Sequence, residues 1–229
     1  MARRTLLSWS TGKDSAFALH VLRESPDVDV VGLFTTVNST HNRVAMHAVG
    51  IELLHLQAEA VRLPLRCLEI PYQCSNDTYE AVMNGFIVES KEQGVECMAF
   101  GDLFLEDIRD YREEKLQGTG IKPVFPLWQK PTDHLVKDMI GQGFRMITTC
   151  VDPRSVPKSL VGREIDESFL RELPVGVDPC GENGEFHTFV YDGPVFSNSL
   201  DVKPGKVVER DGLVFADVTL SGEDSHVVA

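Results

Sequence analysis

The stretch Thr5-Leu6-Leu7-Ser8-Trp9-Ser10-Thr11-Gly12-Lys13-Asp14-Ser15-Ala16-Phe17-Ala18-Leu19 decides the fold. Thr5 to Trp9 is a short apolar strand, Ser10 to Ser15 a polar turn around one glycine, and Ala16, Phe17, Leu19, Val21 and Leu22 recur at helical spacing. A turn between a buried strand and an amphipathic helix presents the first N–H groups of the helix and the positive end of its dipole, which favours an anion such as phosphate. Gly12 lets the backbone approach a ligand closely, Lys13 adds a mobile positive charge, and the hydroxyls of Ser10, Thr11 and Ser15 add donors. The same residues also suit an ordinary helix start capped by Ser10 or Asp14.

Outward from this turn the alternation of strand and helix continues. Residues 28–37 read as a second strand, apolar enough to be buried on both faces. A helix is predicted over 46–61, a strand over 65–70 and a long helix over 76–93, stopped by Gly94. A fourth strand follows over 95–100, ending in Gly101-Asp102, and then a charged helix over 106–116 that closes at Gly118 and Gly120. This pattern predicts an α/β fold: a parallel sheet with helices on both faces, right-handed crossovers, and a ligand site beyond the carboxyl ends of the strands. Past residue 121, Pro123, Pro126 and Pro131 break the pattern. A boundary is expected there, between a domain of residues 1–121 and a smaller C-terminal α+β domain of residues 122–229. In the latter, helices are predicted at 133–142 and 166–173, a strand at 144–151, and a hairpin at 207–220 turning at Asp211-Gly212. The residues from 221 onward are expected to fray.

Composition narrows the partners. The chain carries 35 acidic and 22 basic side chains, a formal net charge of −13, which repels a phosphate backbone and disfavours nucleic acid as the main partner. The run at 28–37 already contains Asp29 and falls far short of the roughly 20 apolar residues a transmembrane helix needs. No signal peptide follows Arg3 and Arg4, so a cytoplasmic location without membrane contact is expected. Five cysteines without a Cys-x-x-Cys pair fit neither a disulfide framework nor a zinc cage and are expected to be reduced.

The turn is not a Walker A loop, because Leu7 stands where that motif needs its first glycine and Asp14 interrupts its end. It resembles the PP-loop, Ser-Gly-Gly-x-Asp-Ser, of enzymes that cleave ATP to AMP and pyrophosphate, with Thr11 in place of the first glycine. That exchange is costly if the backbone there needs a positive φ. Gly101-Asp102, Pro126-Leu127-Trp128 and above all Gly181-Glu182-Asn183-Gly184-Glu185-Phe186-His187-Thr188 follow in the order found in one PP-loop family. From residue 5 to about residue 197 the chain resembles the diphthine-ammonia ligase family, and the glycine-glutamate block is the more specific of the two signals.

The resemblance implies an adenine nucleotide alpha hydrolase-like domain followed by a domain that helps hold an acyl substrate. It implies that ATP activates a carboxylate as an acyl-adenylate, that pyrophosphate leaves, and that ammonia attacks to give an amide. By position Ser10, Thr11, Gly12, Lys13, Asp14, Ser15 and Gly101 would contact the nucleotide, and Glu182, Asn183 and Thr188 the substrate. Lys13, Asp102, Glu185 and His187 are the catalytic candidates, with Glu185 or His187 accepting the proton that ammonia loses. Asp14 or Asp102 would hold Mg²⁺ beside ATP. The acyl substrate is left as either protein-borne diphthine or a small carboxylic acid. The segment from Arg43-Val44-Ala45-Met46-His47 to Gln57-Ala58-Glu59-Ala60 resembles the bacterial branch, where diphthamide synthesis is excluded and another amidation must be meant. A tRNA-modifying PP-loop enzyme and a non-catalytic ATP-binding sensor are the alternatives, and a homodimer is an unsurprising assembly.

Other residues have plainer readings. His41, Arg43 and His47 follow strand two at the ligand edge, though His47 suits a helix start. Cys180 has no identifiable activating base and reads as a buried thiol. Trp128 is expected to pack rather than to stack on adenine, and the charged helix at 106–116 to present a solvated face.

Overall fold

The computed structural model describes residues 1–38, 43–44, 49–71 and 74–222, with only the backbone at residues 38, 43 and 44. By packing, the chain divides into two compact units: Met1–Ser10, Asp14–Ala45 and Leu63–Gln129 form the first, and Thr11–Lys13, Met46–Arg62 and Lys130–Ala229 the second.

The first unit is built on β1 (Arg3–Ser8), β2 (Val28–Asn38), β3 (Arg43–Val44), β4 (Leu65–Ile70), β5 (Cys97–Ala99) and β6 (Lys122–Val124). Five of these run parallel in the order β4-β2-β1-β5-β6, and β3 adds an antiparallel pairing at Val37 and Asn38 of β2. Helix α1 (Lys13–Glu24) connects β1 to β2, while α3 (Asn76–Glu92) leads from β4 back to β5 and α4 (Glu106–Leu116) from β5 to β6. The chain therefore steps one way through α1 and the other way through α3 and α4. Right-handed crossovers then place α1 on one face of the sheet and α3 and α4 on the other. On the latter face Phe86 and Ile87 of α3 and Leu116 of α4 share a core with Phe34, Leu68, Met98 and Phe100. The reversal occurs beside β1, so the crevice that α/β sheets offer to ligands opens at the carboxyl ends of β1 and β5.

The prolines past residue 121 do not end the sheet. Pro123 lies in β6, where an edge position tolerates a residue without an N–H. The fourth strand is shorter than expected, Cys97–Ala99, although the Phe100 N–H still reaches the Val124 carbonyl at 2.9 Å.

The second unit carries an antiparallel sheet of β7 (Arg145–Val151), β8 (Phe186–Asp192), β9 (Val202–Arg210) and β10 (Leu213–Leu220), in the order β8-β7-β10-β9. Its helices are α2 (Ile51–Ala60), α5 (Thr132–Gly141) and α6 (Glu167–Glu172), the last capped by the Asp166 carboxylate on the Phe169 N–H. Val49, Leu53 and Ala60 pack with Ile147, Phe189, Tyr191 and Leu200. The β9–β10 hairpin turns as expected at Asp211 and Gly212, whose φ angles of 53° and 80° suit the two-residue turn that Asp-Gly favours. Strand β8 was not anticipated; it grows directly out of the glycine-glutamate block. The helix expected from residue 46 begins at Ile51 among the described residues. His41, His47 and the tail 223–229 lie outside those residues.

Candidate functional site

Within the first unit, the two ends of the polar turn close on each other. The Ser15 hydroxyl accepts the Ser10 N–H at 3.3 Å and lies 3.3 Å from the Ser10 hydroxyl. Gly101, just past β5, packs on the start of α1: a Cβ there would lie 2.9 Å from the carbonyl carbon of Asp14 and 3.1 Å from the Ser15 nitrogen. Glycine is thus what allows the two strand ends to meet at the switch point. Asp102 is held in a fork by Arg112, at 2.6 Å to Nε and 3.1 Å to Nη2. The Arg112 guanidinium in turn lies 4.3 Å from the Phe100 ring centre. One turn earlier on α4, Arg109 lies 4.7 Å from the Trp128 ring and 5.0 Å from the Phe125 ring. The helix expected to be a solvated face therefore turns two arginines onto aromatic rings, and Trp128 packs as expected. Of the two carboxylates named for the turn, Asp102 has both oxygens taken by Arg112, and Asp14 stands in the first turn of α1. Among the described residues no cluster of three or more His, Cys, Asp or Glu forms a metal cage.

Within the second unit, the middle of the turn meets the edge of the antiparallel sheet. Thr11 has φ 71°, a left-handed conformation that costs a residue with a Cβ about 1–2 kcal/mol. Its side chain is 0% exposed, and its Oγ1 finds no hydrogen-bond partner among the described residues. The backbone holds it there. The Thr11 carbonyl accepts the Val190 N–H at 3.0 Å and the Gln57 carboxamide at 3.0 Å, and the same Gln57 nitrogen donates to the Val190 carbonyl at 2.6 Å. Val190 sits on edge strand β8, whose outward backbone groups need such partners. Lys13 donates its N–H to the Thr188 hydroxyl at 3.0 Å, and its buried ammonium lies 5.9 Å from the Phe186 ring centre. Lys13 and Thr188, 175 residues apart in the sequence, thus share one cluster, with Thr188 placed on the turn's backbone.

The loop ahead of β8 is tied by carboxylates. Asp178 accepts the N–H groups of Cys180 and Glu182 on one oxygen and the Thr132 hydroxyl on the other. Gly181, at φ 69°, lies where a Cβ would come within 2.8 Å of the Phe186 carbonyl. Glu185 is buried and accepts from the N–H groups of Asp178 and Asn183 and from the Asn183 side chain, at 2.9–3.0 Å. Burial pushes its carboxyl up, but these donors outweigh burial and hold it below the usual glutamate value. The His187 imidazole is pushed below its ordinary value, first by burial and then by the Lys13 charge. Cys180 is buried as expected, with its thiol 3.4 Å from the Thr132 carbonyl.

Three residues with work at these clusters were not singled out from sequence. Gln57 had a signal, a carboxamide at a core-facing helical position between Leu53, Leu54 and Ala58. Asp178 had one too, as an Asp before a proline and a glycine turn. Arg112 had none, since a charged helix hides which of its arginines turns inward.

Comparison with known proteins places the chain in a family. The diphthamide synthase N-terminal domain matches residues 3–123, and the diphthamide synthase C-terminal domain matches residues 131–215. A diphthine–ammonia ligase of Mus musculus is 29% identical over 188 residues, covering 74% of this chain and 69% of the relative. The Homo sapiens diphthine–ammonia ligase is 28% identical over 185 residues, with 74% and 69% covered. That of Danio rerio is 26% identical over 230 residues, with 91% and 90% covered. With both of its domains matched in order, the chain belongs to the diphthamide synthase family.

Proposed function

We propose that this family member joins ammonia to a carboxylate through an acyl-adenylate, releasing AMP and pyrophosphate. Family membership makes it an ATP-dependent ligase, and the relatives' name, diphthine–ammonia ligase, supports an amide as the bond formed. The single observation that carries the reading is that Lys13 of the turn shares one cluster with Thr188 and His187 of the glycine-glutamate block. In this reading residues 1–121 hold the nucleotide and residues 122–229 the acyl group. Among the described residues no helix is long and apolar enough to cross a membrane, in keeping with an enzyme of the cytoplasm.

The chemistry follows from the residues. A carboxylate becomes an electrophile only when one oxygen is turned into a leaving group, and adenylation does this. Attack of the carboxylate on the α-phosphate drives negative charge onto the departing pyrophosphate. In this reading the amino end of α1 and the Lys13 ammonium stabilise that charge, and fixed donors need no reorganisation. Magnesium, when bound through Asp14, supplies further charge neutralisation. In the second step the ammonia nitrogen forms the C–N bond as the C–O bond to AMP breaks, and one proton must leave the nitrogen. His187, whose imidazole is biased toward its neutral form by burial and by the Lys13 charge, accepts it. Glu185, with both oxygens already taken by loop donors, positions the loop instead.

The test is to incubate the protein with labelled ATP, ammonium and candidate acyl substrates, either diphthine-bearing protein or small carboxylic acids. AMP and pyrophosphate in equal amounts, appearing with one class of acid only, fix both reaction and substrate. ADP as the product overturns the adenylation.

A further inference from the structure

The Thr11 carbonyl, the Val190 peptide and the Gln57 carboxamide close a ring of three hydrogen bonds, at 3.0, 3.0 and 2.6 Å. Gln57 is 0% exposed and lies on the apolar side of α2 among Leu53, Leu54 and Ala58. A buried carboxamide is costly unless its N–H groups are used, and here one nitrogen serves two carbonyls. The partner it holds is itself strained, because Thr11 stands at φ 71°. With the Gln57 donor removed, only the Val190 N–H is left on the Thr11 carbonyl to oppose the threonine's relaxation toward negative φ. That rotation re-aims the following peptide groups of Gly12 and Lys13, in the middle of the turn read as the phosphate site.

We propose that Gln57 is a positioning residue for the nucleotide, holding Thr11 in the left-handed conformation on which the phosphate turn depends. The inference rests on the reading of the turn as the triphosphate site. It carries a specific consequence: Gln57 matters because residue 11 is a threonine. A glycine at 11 adopts the same φ without strain and does not need to be held.

The experiment uses the full chain and measures ATP affinity by equilibrium dialysis, together with KM for ATP and kcat. Gln57→Leu is expected to weaken ATP binding about tenfold, the effect of one or two lost hydrogen bonds, with the loss in KM rather than kcat. Gln57→Glu, similar in shape but without the donors, is expected to weaken it at least as much. In a Thr11→Gly background the same Gln57→Leu change is expected to cost less than about threefold, a coupling that loss of packing alone does not produce. If Gln57→Leu does not fold, Gln57→Asn, which draws the amide back by one methylene, serves in its place. A folded Gln57 variant that binds ATP as tightly as the parent overturns the proposal. So does an equal loss in both backgrounds. A parent protein that binds no ATP refutes the nucleotide reading itself, a separate outcome from either.

Discussion

Thr11 concentrates the local cost of the site: a β-branched residue in left-handed space, fully buried, with a hydroxyl that meets no partner among the described residues. Two substitutions separate the strain from the lost contacts. Thr11→Ala and Thr11→Gly remove the same Cγ2 and Oγ1, but only glycine loses the Cβ that opposes φ 71°. Thr11→Gly is therefore expected to be about 1 kcal/mol more stable than Thr11→Ala, the reverse of the usual order, as read from urea midpoints. That the loop departs from its family pattern at residue 11 was visible in the sequence. That the departure falls on a positive φ was only a conditional warning, because one chain cannot show the dihedral it will adopt. His187 gives the second residue-scale prediction. Its folded value is depressed below 6.5, so the unfolded chain takes up the proton first. The stability it contributes is whole above pH 6.5 and is lost as pH falls through the lower folded value. As the proposed base it also confines the acid limb of kcat to below pH 6.5. His187→Gln is expected to lower kcat a hundredfold or more and to abolish that limb in a pH–rate profile.

At the scale of elements, the β1–turn–α1 unit and the end of β5 were legible because each is written in local pattern: apolar runs, a polar turn, and a glycine before an aspartate. The spans expected for β4 and for α4, the latter from its charge and its closing glycines, match the observed Leu65–Ile70 and Glu106–Leu116. What links β1 and β5 was not legible, and Gly101 shows why. Its need for glycine comes from Asp14 and Ser15, some eighty-six residues away. Gly101→Ala forces the start of α1 to shift, since its neighbours are backbone and not the end of a flexible side chain. The expected result is a loss of about 1–3 kcal/mol in chemical unfolding together with a KM for ATP raised tenfold or more. Strand β8 escaped for a related reason. Its glycine-rich approach reads as a turn, and its outer edge is completed by Thr11 and Gln57, pairings that no local periodicity displays.

Over the whole molecule, the five cysteines form no disulfide among the described residues. Their environments differ enough to be counted chemically. Cys97, Cys150 and Cys180 are buried, and burial, with Asp152 as a second cause, pushes the Cys150 thiol up to about 12. Burial and Glu69 also raise Cys67. Iodoacetamide at neutral pH is therefore expected to modify at most Cys67 and Cys74 in the native chain, with Cys74 reacting sooner, and all five after unfolding, as mass spectrometry would count. Thr11–Lys13 and residues 49–62 group with residues far downstream, a relation that no local pattern displays. The apolar side of α2 finds its cover in Phe189, Tyr191 and Leu200, contributed by sequence more than a hundred residues later. Such interleaving bears on heredity: a crossover between genes that exchanged only the leading or trailing portion would separate α2 from its cover and the bend at residue 11 from its splint. The two portions must travel through evolution as a single cargo.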